Sequence, residues 1–182
     1  DRGRAVVASG APTQIKALYA EFSDLLHDAY GADAEGVPVL SRPETLAAIS
    51  TLLGTVSGLV LDAGCGPNPV AALALGGRPE RTVVGLDIGF GTLRLARMVA
   101  ARAGVDILAV VGDLEALPFA PRVFDALICD DTIEHVPDDA QALRLDDLDW
   151  ESGMLRVRCS SRAERILAAV AGSRARHPPV HT

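Results

Sequence analysis

The side chains able to do chemistry gather at the ends of short apolar runs. Asp62, Ala63 and the Gly64-Cys65-Gly66 turn follow Leu59-Val60-Leu61; Asp87 and Ile88 end the run from Thr82 to Leu86; Asp113 and Leu114 follow Ile107 to Val111; and Asp130, Asp131, Glu134 and His135 follow Phe124 to Cys129. A glycine turn lets a ligand approach backbone that any Cβ would block. Pro69 stands where the third glycine of a dinucleotide fingerprint belongs, and Asp62 puts a carboxylate where a pyrophosphate would have to be tolerated. A cationic ligand without phosphate suits the turn better than a diphosphate. Asp87 lies roughly 20 residues beyond the turn, where a carboxylate can accept hydrogen bonds from the ribose 2′ and 3′ hydroxyls. Capping of the next helix is the simpler use of such an Asp, but the paired spacing with Gly64 and Gly66 favours the ribose.

In the last group, carboxylates beside an imidazole suit a divalent ion, yet adjacent acids point apart, and helix capping or a solvated charge run explains them more simply. No metal ligand is assigned. Imidazole is the usual side chain for proton transfer, and His135 is the candidate general base, set against the commoner use of such a histidine, hydrogen bonding to backbone at a helix start. Asp113 is balanced between a ligand contact and a turn Asp satisfied by its own backbone.

The elements that must position these groups are legible from periodicity. Residues 12 to 27 put Ile15, Leu18, Tyr19, Phe22, Leu25 and Leu26 on one helical stripe, and Ser41 with Glu44 forms a capping box before Leu46, Ile49, Leu52 and Leu53. Both helices are expected to pack on the sheet. Tyr30 is within reach of the site, although packing is its more usual role. After the glycine turn a small-residue helix opens at Asn68 and Pro69; Thr92 to Ala103 is a helix ended by Gly104; and four strands end at the chemical residues above. Met154 to Cys159 reads as a fifth strand, Arg162 to Ala175 as a helix with Ile166, Leu167, Val170 and Ala171 inside, and the end of the chain as a Pro-rich tail.

The Asp-x-Gly-Cys-Gly stretch at 62–66, the acid at Asp87, the Gly112-Asp113-Leu114-Glu115 segment and the Asp130 to Asp138 string resemble the successive motifs of class I S-adenosylmethionine-dependent methyltransferases, in particular those of the ubiquinone and menaquinone biosynthetic type, in which a Glu-His pair stands at the Glu134-His135 place. The resemblance runs from about Gly58 to Asp139. It implies an α/β fold, a Rossmann-like, doubly wound and mainly parallel sheet of about five strands with helices on both faces, truncated at the C-terminal end. It also implies S-adenosyl-L-methionine as cofactor, with contacts from Asp62, Ala63, Gly64, Cys65, Gly66, Asp87, Ile88, Asp113, Leu114 and Asp130, and His135 as the catalytic candidate. Methyl transfer to a small-molecule acceptor by in-line displacement is the activity implied; a non-catalytic binder of S-adenosylmethionine or S-adenosylhomocysteine is the alternative, and a nicotinamide oxidoreductase is weakened by Pro69 and Asp62. The expected division is a helical cap at 1–57, a cofactor core at 58–144 and an atypical segment at 145–182, all within one domain. Leu145 to Gly153 is too acidic for a buried helix face, and nothing remains for the family's sixth and seventh strands, so the chain is expected to bind cofactor better than it turns over. An exposed fifth strand would invite homodimerisation.

Composition narrows the partners. The chain has 182 residues and a net charge of −7, a poor match to phosphate backbones, so nucleic acid is not the expected substrate. Lys16 is the only lysine among many arginines. Cys65, Cys129 and Cys159 lack paired spacing and suggest a reduced, cytoplasmic setting. No apolar run approaches the roughly 20 residues that span a bilayer.

Overall fold

The computed structural model describes residues 12–30, 43–120, 123–136, 154–159 and 165–170. Its elements are α1 (Pro12–Tyr30), α2 (Pro43–Leu53), β1 (Gly58–Ala63), α3 (Val70–Leu75), β2 (Arg81–Asp87), α4 (Phe90–Arg102), β3 (Leu108–Val111), β4 (Ala126–Asp130), a 3-10 turn (Ile133–His135), β5 (Met154–Cys159) and β6 (Arg165–Val170). Most lie within a residue or two of their expected bounds, as helix and strand ends commonly do.

The strands form a six-stranded sheet in the order β3-β2-β1-β4-β6-β5. β1 runs parallel to β2 on one side and to β4 on the other, and β2 runs parallel to β3. A central parallel strand is covered on both faces, which is why Val60, Leu61, Asp62 and Ala63 are all buried and the run shows no polar alternation. The side chains still sort by the strand's two-residue period. Val60 and Ile128 face a core built with Ile49, Leu53, Ala71, Leu75 and Ala100, from α2, α3 and α4. Leu61 and Cys129 face a second core with Leu86, Phe124 and Ile133, covered among the described residues by loop side chains such as Leu114, Leu117 and Phe119. Edge strand β3 leaves Leu108 and Val111 exposed.

One element corrects the sequence reading. Residues 165–170, expected inside a helix, are strand β6, antiparallel to β4 (Asp130↔Ile166) and to β5 (Cys159↔Arg165). Short apolar runs are ambiguous between helix and strand, and here a ladder on both sides outweighs the helix preference of Ala168 and Ala169. The sheet therefore has six strands rather than about five, and β5 stands at its edge beyond β6. The acidic stretch Leu145 to Gly153 and the Pro-rich tail lie outside the described residues, as does most of the loop between α1 and α2.

Arg81, buried at the start of β2, fixes the underside of this fold. Its guanidinium donates to the carbonyls of Leu53, Gly54 and Val56 after α2 and to Leu75 at the end of α3. Helix carboxyl ends carry orphan carbonyls and a partial negative charge, and one five-donor cation answers both ends here.

Helix α1 departs from expectation in its partner. It packs on α4 instead of directly on the sheet, with Leu26 and Tyr30 against Leu95 and Val99. Buried Ser23 makes that approach close: its Oγ accepts the N–H of Thr92 at 2.7 Å, filling the role of an N-cap that α4 lacks locally. A Cβ on Gly89 or Gly91 would collide with Ser23. Among the described residues no helix is long and apolar enough to cross a membrane.

Candidate functional site

The carboxyl ends of β1, β2 and β3 and the loop after β4 open onto one cavity of about 260 Å³, with α1 lying over it. The floor carries Gly64, Gly66, Asp87, Ile88, Gly112, Asp113 and Leu114; the roof carries Ile15, Lys16, Tyr19, Phe22 and Leu26; and Asp131, Thr132, His135 and Val136 form the remaining side. This is the crevice outside the strand ends where open α/β sheets take ligands.

Backbone geometry sets the floor. Gly64 and Gly66 have φ of 73° and 58°, a region that L side chains avoid. Gly64 N and Cys65 N donate to Leu86 O at 2.8 and 3.0 Å, so the turn is clipped to the end of β2. A Cβ on Gly64 would run into Thr132, whose hydroxyl lies 3.0 Å from Gly64 O and 2.9 Å from Asp130 O. A Cβ on Gly66 would meet nothing within 4 Å, because that side faces the cavity.

Asp87 ties the two loops together. Its Oδ2 accepts Gly66 N at 3.1 Å and its Oδ1 accepts Gly89 N at 2.8 Å. Burial pushes its pKa above the ordinary aspartate value, against the pull of those amides. Asp113 Oδ1 accepts Glu115 N at 2.9 Å, while its Oδ2 takes the ammonium of Lys16 at 2.6 Å. Partial burial opposes its charge, but the bonds from Lys16 and Glu115 N hold the Asp113 carboxyl below the usual range. Lys16 also pairs with Glu115, and the hydrogen bond to Asp113, followed by that to Glu115, raises its pKa above the ordinary lysine value. The His135 and Tyr19 rings meet across the cavity, centroids 5.8 Å apart and tilted by 56°.

Residues 61–145 match the model of a methyltransferase domain. The ubiquinone biosynthesis O-methyltransferase of Paracidovorax citrulli (strain AAC00-1) is 35% identical over 129 residues, 69% of this chain and 53% of that protein. Among solved structures, the YcgJ protein of Bacillus subtilis superposes with a TM-score of 0.55 at 26% identity, over 64% of this chain and 50% of that one. Residues 61–145 are thus similar to class I S-adenosylmethionine-dependent methyltransferase domains. The magnesium protoporphyrin IX methyltransferase of Synechocystis PCC 6803, solved with bound SAH, shares the fold, with a TM-score of 0.51 at 16% identity over 86% of this chain and 99% of that one. The chain spans about half the length of the curated relatives it matches.

Within this methyltransferase-like region the structure brings Gly64, Gly66, Asp87, Ile88, Asp113, Leu114 and His135 onto one cavity. Asp62, Ala63, Cys65 and Asp130 are not on its wall. Asp62 is buried behind the turn, where its Oδ2 accepts Ala71 N at 2.9 Å in the first turn of α3; burial raises its pKa to about 7, against the pull of that bond. The Cys65 thiol turns inward against Leu93 and Ala96, and burial raises its pKa well above the ordinary value. Tyr30 sits in the α1–α4 contact and not at the cavity. Among the described residues no group of three His, Cys, Asp or Glu side chains could hold a metal ion.

Sequence reasoning missed the roles of Lys16, Ser23 and Thr132, and it placed Tyr19 and Phe22 on the helix's apolar stripe without assigning either to the site. Two signals were present: a single lysine in an arginine-rich chain, and a serine on the stripe that joins Tyr19 to Leu26. Phe22 is 56% exposed, an oddity for a core residue that only the structure reveals.

Proposed function

We propose that this chain binds S-adenosylmethionine in the cavity beneath α1 and takes part in methyl transfer to a small-molecule acceptor. One observation carries the proposal: the open side of Gly66 and the carboxylates of Asp87 and Asp113 face the same cavity from adjacent parallel strands. The donor set fits the cofactor. The Asp87 carboxylate stands on the cavity wall at the end of β2, held there by the N–H groups of Gly66 and Gly89, and as an acceptor it suits the ribose hydroxyls. Asp113 is the acceptor for the adenine amino group, with Leu114 and Ile88 beside the ring. The backbone of Ala63 to Gly66 supports the amino-acid end, with Asp62 buried behind the turn and Asp130 at the end of β4.

Bound there, S-adenosylmethionine supplies an electrophilic methyl group on a sulfonium. The chain contributes alignment and exclusion of water, the main demands of an in-line displacement. Ile15, Tyr19, Phe22 and Leu26 give the roof an apolar surface for the acceptor. His135, exposed on the cavity wall, is proposed to take the proton from an acceptor hydroxyl. The O-methyltransferase relatives support an oxygen nucleophile.

The proposal includes a cytoplasmic setting, supported by the free thiols of Cys65 and Cys129, and pairing of two copies along β5, supported by its place at the sheet edge. The test is incubation with S-adenosylmethionine and a panel of phenols, catechols and amines, with product read by mass spectrometry. Acceptor-dependent formation of S-adenosylhomocysteine is expected; a chain that neither binds nor consumes the methyl donor contradicts the proposal.

A further inference from the structure

The roof helix is anchored unequally along its length. At its carboxyl-terminal half it is fixed to α4 by the Ser23–Thr92 bond and by the close approach to Gly89 and Gly91. Toward its amino end it crosses the cavity, and Lys16 there lies about 10 Å along the helix from Ser23. The Lys16 ammonium reaches two carboxylates on the loop after β3, Asp113 at 2.6 Å and Glu115. These two acids differ in one respect: Asp113 lines the cavity and Glu115 does not.

We propose that Lys16 is a positioning residue that latches the roof helix to the β3 loop, and that it keeps the latch through Glu115 when a ligand donor engages Asp113. This rests on the cofactor site proposed above. With two acceptors for one ammonium, sharing Asp113 with an incoming amino group does not release the roof. An ammonium carries three donors and no fixed plane, so it can turn from one carboxylate to the other without moving the helix. The latch therefore acts on escape of the ligand more than on its entry. Ion pairs that keep partial contact with water are individually weak, so the expected effect is a modest change in rate and not a loss of fold.

Two measurements on the full chain test this, with S-adenosylhomocysteine as the probe. In stopped-flow displacement, Lys16→Met is expected to speed dissociation by about fivefold, with Lys16→Arg close to the wild type, and the effect should shrink as salt is raised. In hydrogen exchange on the ligand-free protein, Lys16→Met should raise exchange across residues 12–20 while leaving β1 and β2 unchanged, a signature that general destabilisation would not give. If wild type and Lys16→Met release the ligand at equal rates, or if Lys16→Met leaves exchange at 12–20 unchanged, the latch is refuted while the cofactor site stands. If the wild type binds no S-adenosylhomocysteine, the cofactor site and the latch on it fall together.

Discussion

The floor of the cavity is held through main-chain N–H groups, Gly64 N and Cys65 N donating to Leu86 O and Gly66 N to the Asp87 carboxylate, whereas the roof is held by the side chains of Lys16, Tyr19 and Ser23. Main-chain bonds between parallel strands fix atoms with little freedom and are paid for by the whole sheet. Ties through long side chains let go one at a time. A cofactor that must be gripped in one pose suits the first construction, and an enclosure that opens for exchange of ligands suits the second.

The sharpest way to break the contrast is within the floor itself. Gly64→Val places a branched side chain at φ 73° against Thr132, which is stiff and hydrogen-bonded to two carbonyls, so a loss of roughly 2 to 5 kcal/mol is expected in urea unfolding. Gly66→Ala, at φ 58° with open space, should cost only about 1 kcal/mol. Equal losses would mean that the turn is not built against the loop after β4.

His135 tests the opposite wall. Its replacement by Ala should lower kcat by about a hundredfold or more if it serves as general base, with affinity for S-adenosylhomocysteine little changed. A shift in affinity alone, with kcat preserved, would assign it to enclosure.

A smaller effect concerns the buried acid behind the turn. Asp62 has a pKa of about 7 in the fold, against about 4 for an unperturbed aspartate. Between those values the folded state holds more proton than the unfolded one, so stability falls as pH rises from about 4 to about 7 and is level outside that window. Asp87, also raised by burial, adds in the same direction. Asp62→Asn keeps an acceptor for Ala71 N and removes the charge, so its unfolding free energy should be flatter between pH 5 and pH 8. An unchanged slope would relocate the titration to another group.

The same contrast explains what the sequence could reveal. The floor is written in local signals: strand, glycine turn, acid at the next strand end. Gly64, Gly66 and Asp87 accordingly meet where spacing put them, and Asp113, balanced on local signals and favoured by the resemblance, joins them on the same cavity. The roof depends on contacts between distant segments, such as Lys16 with Asp113 and Ser23 with Thr92, which no spacing rule encodes. Asp62 shows a subtler gap, for spacing located it beside the turn but its burial and its bond to Ala71 emerge only from three-dimensional packing. Strand β6 is another tertiary outcome, since Arg165–Val170 takes its form from ladders with β4 and β5.

The central claim is that the floor is a cofactor site, and isothermal titration with S-adenosylhomocysteine tests it most directly, on the wild type and on Asp87→Ala checked for folding by circular dichroism. Loss of charge-assisted hydrogen bonds of about 1.5 to 3 kcal/mol predicts one binding site in the wild type and an affinity weaker by roughly tenfold to a hundredfold in the folded variant. Equal affinity in the two proteins, or no binding to the wild type, would contradict it.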